Sequence, residues 1–388
     1  MKIIHVSKVI TIAGSEGHLL QLLPRLRSAG VDARMVVLAA DPASDGGFVE
    51  AVRALDVPVS FLPMRGDLDP SLPARLADHF RAERPDIVHT HLFHADLYGL
   101  LAARSAGVNR VVSSRHNTDR FRELLPFRLL GRAMWARTRR GIAISNAVRE
   151  FVLRVEGARP GQVQTIYYGY EPPPNDGLSA QRRADLRAEW GIPADAPVAG
   201  SVCRLIAQKG LDTALEAFAA ASRANRAAHY VIAGKGPLRA ELEAQARALG
   251  LSERVHFLGW QEPHAVYDAI DVFLSPSRWE GFGLVLLEAM GHCLPVIGST
   301  AGAIPEVVID GQTGYLTPPG EAAALVGPIE KLLADPALRA QMGEAGRARL
   351  EAAFSVEKML RETIAFYEGM MGMPSENHSP QSREDRKA

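Results

Sequence analysis

A chain of 388 residues balances 44 Lys plus Arg against 44 Asp plus Glu, and 47% of it is apolar. That length exceeds one ordinary core and predicts two domains, while the balanced charge argues against bulk attraction to nucleic acid. No apolar run approaches the roughly 18 residues that would span a bilayer.

Met1–Val9 carries one early Lys and a short apolar run broken by His5, Ser7 and Lys8, so it reads as a first β-strand and not as a signal peptide. Further strand candidates follow at Ala33–Ala39, Val59–Met64, Ile87–Thr90, Arg110–Ser114, Ile142–Ser145 and Val163–Tyr167. Glu171–Ser179 is a proline-rich polar break. A second series runs Val198–Cys203, Tyr230–Ala233, Val255–Leu258, Val272–Ser275 and Val296–Gly298. Helix-like segments alternate with these runs, which predicts parallel sheets with crossover helices. The expected organisation is an N-terminal Rossmann-like domain at 1–171, a linker at 172–182 and a second Rossmann-like domain at 183–353. A helix at 354–371 is expected to pack back on the first domain, and a polar tail at 372–388 to be disordered. In two doubly wound α/β domains facing across a cleft, ligands belong at the strand carboxyl ends. The two cysteines, Cys203 and Cys293, have no metal-ligand spacing and read as reduced core residues of a cytosolic protein.

The most informative stretch is Ser275-Pro-Ser-Arg-Trp-Glu-Gly-Phe-Gly-Leu-Val-Leu-Leu-Glu-Ala289. A strand ends, a loop holds Glu280, and Gly281 and Gly283 open a helix near Leu284. Free N–H groups at such a helix start favour anions, and glycines let a diphosphate approach the backbone. Glu288 lies one turn on, and a carboxylate accepting two hydroxyl hydrogens suits a ribose diol. A surface loop whose Glu merely caps a helix is the plainer alternative. Glu280, seven residues and Glu288 resemble the two-glutamate motif of glycosyltransferase family 4, a group with the GT-B fold. The resemblance implies a retaining transferase that uses a nucleotide-sugar donor. It implies that Glu288 binds the donor ribose and that Glu280, with Gly281 and Phe282, lies near the transferred sugar. The N–H groups of Gly283, Leu284 and Val285 would hold phosphate or sugar.

Ser201–Gly210 places Arg204 and Lys209 after a strand exit, matching the family's Arg-Leu…Lys-Gly motif. Two fixed cations there would stabilise a nucleoside diphosphate leaving group without a metal ion. The turn Gly234-Lys-Gly236 lacks the third glycine of a dinucleotide fingerprint and reads equally as a structural turn or a nucleotide contact. Leu258 and Gly259 resemble the segment whose backbone meets the base. In the first half, Ala13-Gly-Ser-Glu-Gly17 stands where the family has a glycine-rich loop, which implies phosphate contact by Gly14 and Ser15. His116, in Ser113-Ser-Arg-His-Asn-Thr118, matches the histidine near the transferred sugar, able to act through its ring or its carbonyl. A histidine simply satisfied at a strand end is the alternative. Tyr167-Tyr-Gly-Tyr-Glu171 departs from the family's Asn-Gly-(apolar)-Asp turn, keeping only the glycine.

His89, His91 and His94 share one strand end but lack a convincing fourth ligand, and Asp67-Leu-Asp69 lacks the strand-end setting of metal-dependent transferases, so neither a metal nor a cofactor is expected. Between Arg104 and Arg159 thirteen arginines face four acids, and Phe121–Trp135 mixes them with large apolar groups. That pattern suits contact with an anionic membrane surface, where a lipid-linked acceptor would be met, or else a solvated helix with an ordinary core face. The resulting expectation is a hexosyl-type transferase using a UDP- or GDP-sugar and a glycan or lipid-linked acceptor, cytoplasmic or peripheral at the inner membrane face. A sugar-nucleotide epimerase or hydrolase on the same fold, or a non-catalytic binding module, is the competing class.

Overall fold

The computed structural model describes residues 1–173 and 180–372. The chain divides into two units, Met1–Gly169 together with the chain from Val356 onward, and Tyr170–Ser355. The first holds seven parallel strands: β1 (Lys2–Lys8), β2 (Asp32–Ala39), β3 (Val59–Pro63), β4 (Ile87–His91), β5 (Val111–Arg115), β6 (Arg140–Ala143) and β7 (Val163–Thr165). Their spatial order is β3-β2-β1-β4-β5-β6-β7. The second holds β8 (Val198–Val202), β9 (His229–Ala233), β10 (Val255–Gly259), β11 (Val272–Ser275), β12 (Val296–Ser299) and β13 (Gly314–Thr317), ordered β10-β9-β8-β11-β12-β13. Strand order reverses between β1 and β4 and again between β8 and β11, the switch points at which doubly wound sheets take ligands.

The central strands are buried along their whole length, as parallel strands between helices must be. In the first helix, Gly14–Ser28, the buried residues Leu19, Leu22, Leu23 and Leu26 repeat at helical spacing and cover one face of the first sheet. The helix Val356–Met371 joins the same core through Val356, Met359, Phe366, Tyr367 and Met370. Leu72, Leu76 and Phe80 with Tyr98 and Leu100 cover the opposite face. In the second unit Leu215, Phe218, Ile329 and Leu332 pack over Tyr230 and Ile232.

Twelve strands lie where the apolar runs predicted them, with ends shifted by one or two residues. The thirteenth, β13, went unread because a four-residue edge strand opening on Gly314 offers only Tyr315 and Leu316 as large apolar groups. The helix Ala180–Glu189 takes up residues assigned to the linker, and Phe354 and Ser355 belong to the second unit, ahead of the helix that starts at Val356. Residues 174–179 of the proline-rich break and the expected tail from 373 lie outside the described residues.

Candidate active site

In the second unit β8 and β11 are neighbours, and the loops leaving their carboxyl ends carry the charged residues. Arg278 ties those loops together. Its backbone N–H donates to Gln208 O at 2.7 Å, and its guanidinium grips Asp212 at 2.8 and 2.5 Å. Gln208 Nε2 donates to Trp279 O at 3.0 Å. This lacing sets Lys209 opposite Glu280, residues 71 apart in sequence, and Lys209 Nζ donates to Glu280 Oε2 at 2.5 Å. Ser277 Oγ adds a weaker contact to the same oxygen at 3.3 Å. Glu280 is held from behind by Gly302, where an added Cβ would lie 1.9 Å from the Glu280 carbonyl oxygen. Sequence reading missed Gly302, because a close approach between two loops leaves no local pattern.

Arg204 is exposed with no ion-pair partner among the described residues, the state of a cation open to a ligand. The turn beneath it has a packing explanation. A Cβ on Gly234 would lie 1.9 Å from Cys203 O and one on Gly236 would lie 2.3 Å from Leu205 O, so both glycines let the turn brace the Arg204 loop. Burial pushes the Cys203 thiol up to about 11, which keeps it protonated there. Leu258 and Gly259 close β10, with Gly259 O accepting from Gly234 N at 2.6 Å.

Gly283, at φ 87°, is the cap from which the helix Leu284–Gly291 starts without a side-chain capping bond. The N–H groups of Leu284 and Val285 therefore lie in its unpaired first turn. The Phe282 ring is buried against Phe354, edge to face at 5.9 Å between centroids. Glu288 accepts from the Tyr267 hydroxyl at 2.6 Å, and burial raises its carboxyl against that bond. Tyr267 was not foreseen.

In the first unit His116 directly follows β5. Its Nε2 faces His91 Nδ1 at 3.0 Å and its Nδ1 faces the Tyr168 hydroxyl at 2.5 Å, so both ring nitrogens are engaged inside the protein. The tyrosine that replaces the expected polar turn residue is thus the partner of His116. Gly14 starts the first helix, but the Glu16 carboxylate accepts the Ala13 N–H at 3.2 Å and the Ser15 hydroxyl at 2.9 Å. Ser15 and that helix start are already served by an acid, a neighbour the phosphate assignment for Gly14 and Ser15 did not consider.

His94 stands apart from the other strand-end histidines, its Nε2 3.4 Å from Asp67. His5 takes its place: His5, His89 and His91 each bring a ring nitrogen within 4.8 Å of the others. The arginine excess is partly internal. Arg115 is buried between Asp96 and Glu156, while Arg122 Nη1 donates to Glu156 at 3.1 Å and Trp135 Nε1 at 2.9 Å. Burial presses the Glu156 carboxyl upward, but the charges of Arg115 and Arg122 outweigh it and hold it at about 2.

Residues 12–172 match the family model described as Glycosyltransferase Family 4, and residues 182–349 match that for Glycosyl transferases group 1. Among similar proteins, the alpha-D-kanosaminyltransferase of Streptomyces kanamyceticus is 31% identical over 64% of this chain and 68% of its own. The 2-deoxystreptamine glucosyltransferase of the same organism is 30% identical over 74% and 78%. Among solved structures, Anabaena Alr3699/HepE in complex with UDP and glucose superposes with TM-score 0.83 at 23% identity, covering 95% of this chain and 100% of that one. Sucrose-phosphate synthase from Thermosynechococcus elongatus gives 0.77 at 24% identity, covering 96% and 100%. Two parallel-sheet units of this order, a family 4 region followed by a group 1 region, and relatives at this identity place the chain among the GT-B glycosyltransferases, the family to which it belongs.

Proposed function

We propose that the protein transfers a hexosyl-type sugar with retention from a nucleotide-sugar donor, without a metal ion. The observation that carries this reading is the meeting of Lys209 and Glu280 at the β8/β11 switch point, with Arg204 exposed beside them in sequence and Glu288 on the following helix. A donor diphosphate draws the Lys209 ammonium and the Arg204 guanidinium, and Glu280 then turns to the hydroxyls of the transferred sugar. Glu288 takes the ribose diol. As the glycosidic bond breaks, the cations stabilise the departing diphosphate, whose oxygen accepts the acceptor's proton while the new bond forms on the same face. With both ring nitrogens of His116 engaged, its main-chain carbonyl is the group available to positive charge at the anomeric carbon.

The test is thermal stabilisation by UDP-, GDP- and ADP-sugars with EDTA present, on the wild type and on Glu288→Ala. Stabilisation by one nucleotide, lost in the variant, supports the donor site. No shift with any of them removes the basis for the reading. Loss of activity in EDTA, restored by a divalent ion, would refute metal independence, and an inverted anomeric configuration in the product would refute retention.

A glycolipid or other lipid-linked acceptor is favoured by one surface of the first unit. Phe121, Leu124, Leu125 and Leu129 are exposed, and the helix Leu125–Trp135 places Leu125, Leu129 and the exposed Arg132 on one face, with Arg137 and Arg139 exposed just beyond. Apolar groups beside arginines suit an anionic lipid surface. No helix among the described residues is long and apolar enough to cross a membrane. Failure of the protein to sediment with anionic vesicles at low salt would remove this element.

A further inference from the structure

One face of the first sheet changes character along three adjacent strands. Pairing sets Ile3 beside Ile87, His5 beside His89 and Ser7 beside His91, while β5 sets Val112 beside His89 and Ser114 beside His91. Because alternate residues share a face, Ile3, Ile87 and Val112 belong to the apolar core at the amino end. Toward the carboxyl end the same face turns to His5, His89, His91 and Ser114, all buried. Buried polar groups require partners, and here they find them in one another.

The contacts form a line. His5 Nδ1 faces His91 Nε2 at 3.0 Å, His91 Nδ1 faces His116 Nε2 at 3.0 Å, and His116 Nδ1 faces the Tyr168 hydroxyl at 2.5 Å. His89 braces the side of the line, its nitrogens 2.7 Å from the hydroxyls of Tyr367 and Ser114. For both imidazole pairs the ring centroids are 5.2 Å apart. Subtracting the nitrogen separation leaves about two ring radii, so the nitrogens point at each other. A tetrahedral ion would hold two nitrogen ligands about 3.3 Å apart with both lone pairs converging on it, not aimed at each other. The gaps match N–H···N hydrogen bonds instead.

A neutral imidazole has one donor and one acceptor. Three in series therefore share one sense, since a reversal would set two N–H groups or two lone pairs face to face. Either all three carry hydrogen on Nε2, with Tyr168 donating to His116, or all carry it on Nδ1, with Tyr168 accepting. The inner end, His5 Nε2, has no hydrogen-bond partner among the described residues, so the sense is set at the Tyr168 end. Around Tyr168 stand the His18 ring, stacked at 4.3 Å between centroids, and the charge of Glu16. Burial favours the neutral form throughout, lowering His91 and His116 well below the ordinary imidazole value and His5 to about 3.

We propose that His5, His91 and Tyr168 form a tautomer-ordered chain that holds His116 in place for sugar transfer, with Tyr168 a positioning residue that sets the sense of the chain. This rests on the part assigned to His116 under the proposed function. The chain fixes the ring and with it the backbone at the end of β5, where a displacement of about 1 Å costs on the order of 100-fold in rate.

The experiment labels the histidine rings of the full-length protein with nitrogen-15 and reads the protonated nitrogen of His5, His91 and His116 by long-range proton–nitrogen correlation, in the wild type, Tyr168→Phe and His91→Gln. In the wild type all three rings carry hydrogen on the same nitrogen. Tyr168→Phe mixes the two forms as far in as His5, and His91→Gln, the second variant should the first fail to fold, releases His5 and His116 from each other. With UDP-glucose, GDP-mannose or ADP-glucose, whichever stabilises the wild type, Tyr168→Phe lowers kcat about 10- to 100-fold and leaves the donor KM unchanged. Mixed tautomers in the wild type, an unchanged pattern at His5 and His91 in Tyr168→Phe, or an unchanged kcat would each overturn the proposal. A wild type with ordered tautomers but no transfer activity would overturn the functional reading and leave the chain itself standing.

Discussion

The two units share a strand order but keep their polar groups in different places. In the first, Arg115, Asp96, Glu156, His5, His89 and His91 lie wholly inside, and each is satisfied chiefly by another of the group or by a neighbouring strand. In the second, Lys209 and Glu280 sit at the rim of the sheet, with side chains 15% and 12% exposed, and Arg204 is open to solvent. An enclosed ion pair of the second unit, Arg187 with Asp271, lies just ahead of β11 at the amino end of the strands. Altering the second unit's candidate residues should therefore change chemistry and spare the fold, whereas the first unit's polar groups cannot be changed without touching stability.

The sharpest way to break this comparison is Glu156→Ala, which leaves Arg115 and Arg122 buried without their shared carboxylate. A loss of about 3–5 kcal/mol is expected, read by chemical denaturation. A loss under 1 kcal/mol would mean the cluster is not the internal anchor described.

Lys209→Ala should act the opposite way. Removing one donor that stabilises developing charge lowers kcat by about 100- to 1,000-fold, with a smaller loss of stability than Glu156→Ala because both side chains of the pair still reach solvent. A variant that melts much earlier, or that transfers normally, would erase the contrast.

The units also separate by pH. Burial, followed by the charge of His18, lowers His5 from 6.5 to about 3, and burial alone lowers His18 to about 3. Unfolded imidazoles take up protons below 6.5 while these two do not, so their contribution is complete above that value and is lost as pH falls toward 3. Each group contributes about 1.4 kcal/mol per pH unit across that window. His89, His91 and His116 reinforce the trend. Glu16, Asp96 and Asp119, raised by burial, oppose it in part. In the second unit His256, at about 4, and the less shifted His229 act in the same sense. Acid titration followed by hydrogen exchange should therefore open the first unit's sheet before the second's, and the reverse order would contradict the assignment.

The difference between the units also explains what was legible in the sequence. Glu280, Gly283 and Glu288 fall within one strand-loop-helix segment, so a local pattern was there to be read, and its resemblance to a family motif supplied the expected roles. Lys209 was read as a cation, but its pairing with Glu280 depends on Arg278 lacing two loops together, which no local pattern records. The histidine chain draws on β1, β4, the end of β5 and the residues after β7, and such a set has no period to detect. The arginine-rich stretch was legible as charge, yet Arg115 and Arg122 are internal, because burial depends on partners such as Asp96 and Glu156 that lie elsewhere in the chain.

The helix Val356–Met371 has a consequence for the order in which the molecule is made. It supplies Phe366, Tyr367 and Met370 to the first unit's core, and the Tyr367 hydroxyl meets His89, yet the ribosome adds it only after the whole of the second unit. The usual sequence, in which the earlier domain folds first, is inverted. The second unit can close during translation, while the nascent first sheet keeps part of an apolar face uncovered until its last helix emerges. A chain stalled before Val356 would present that face to chaperones and proteases.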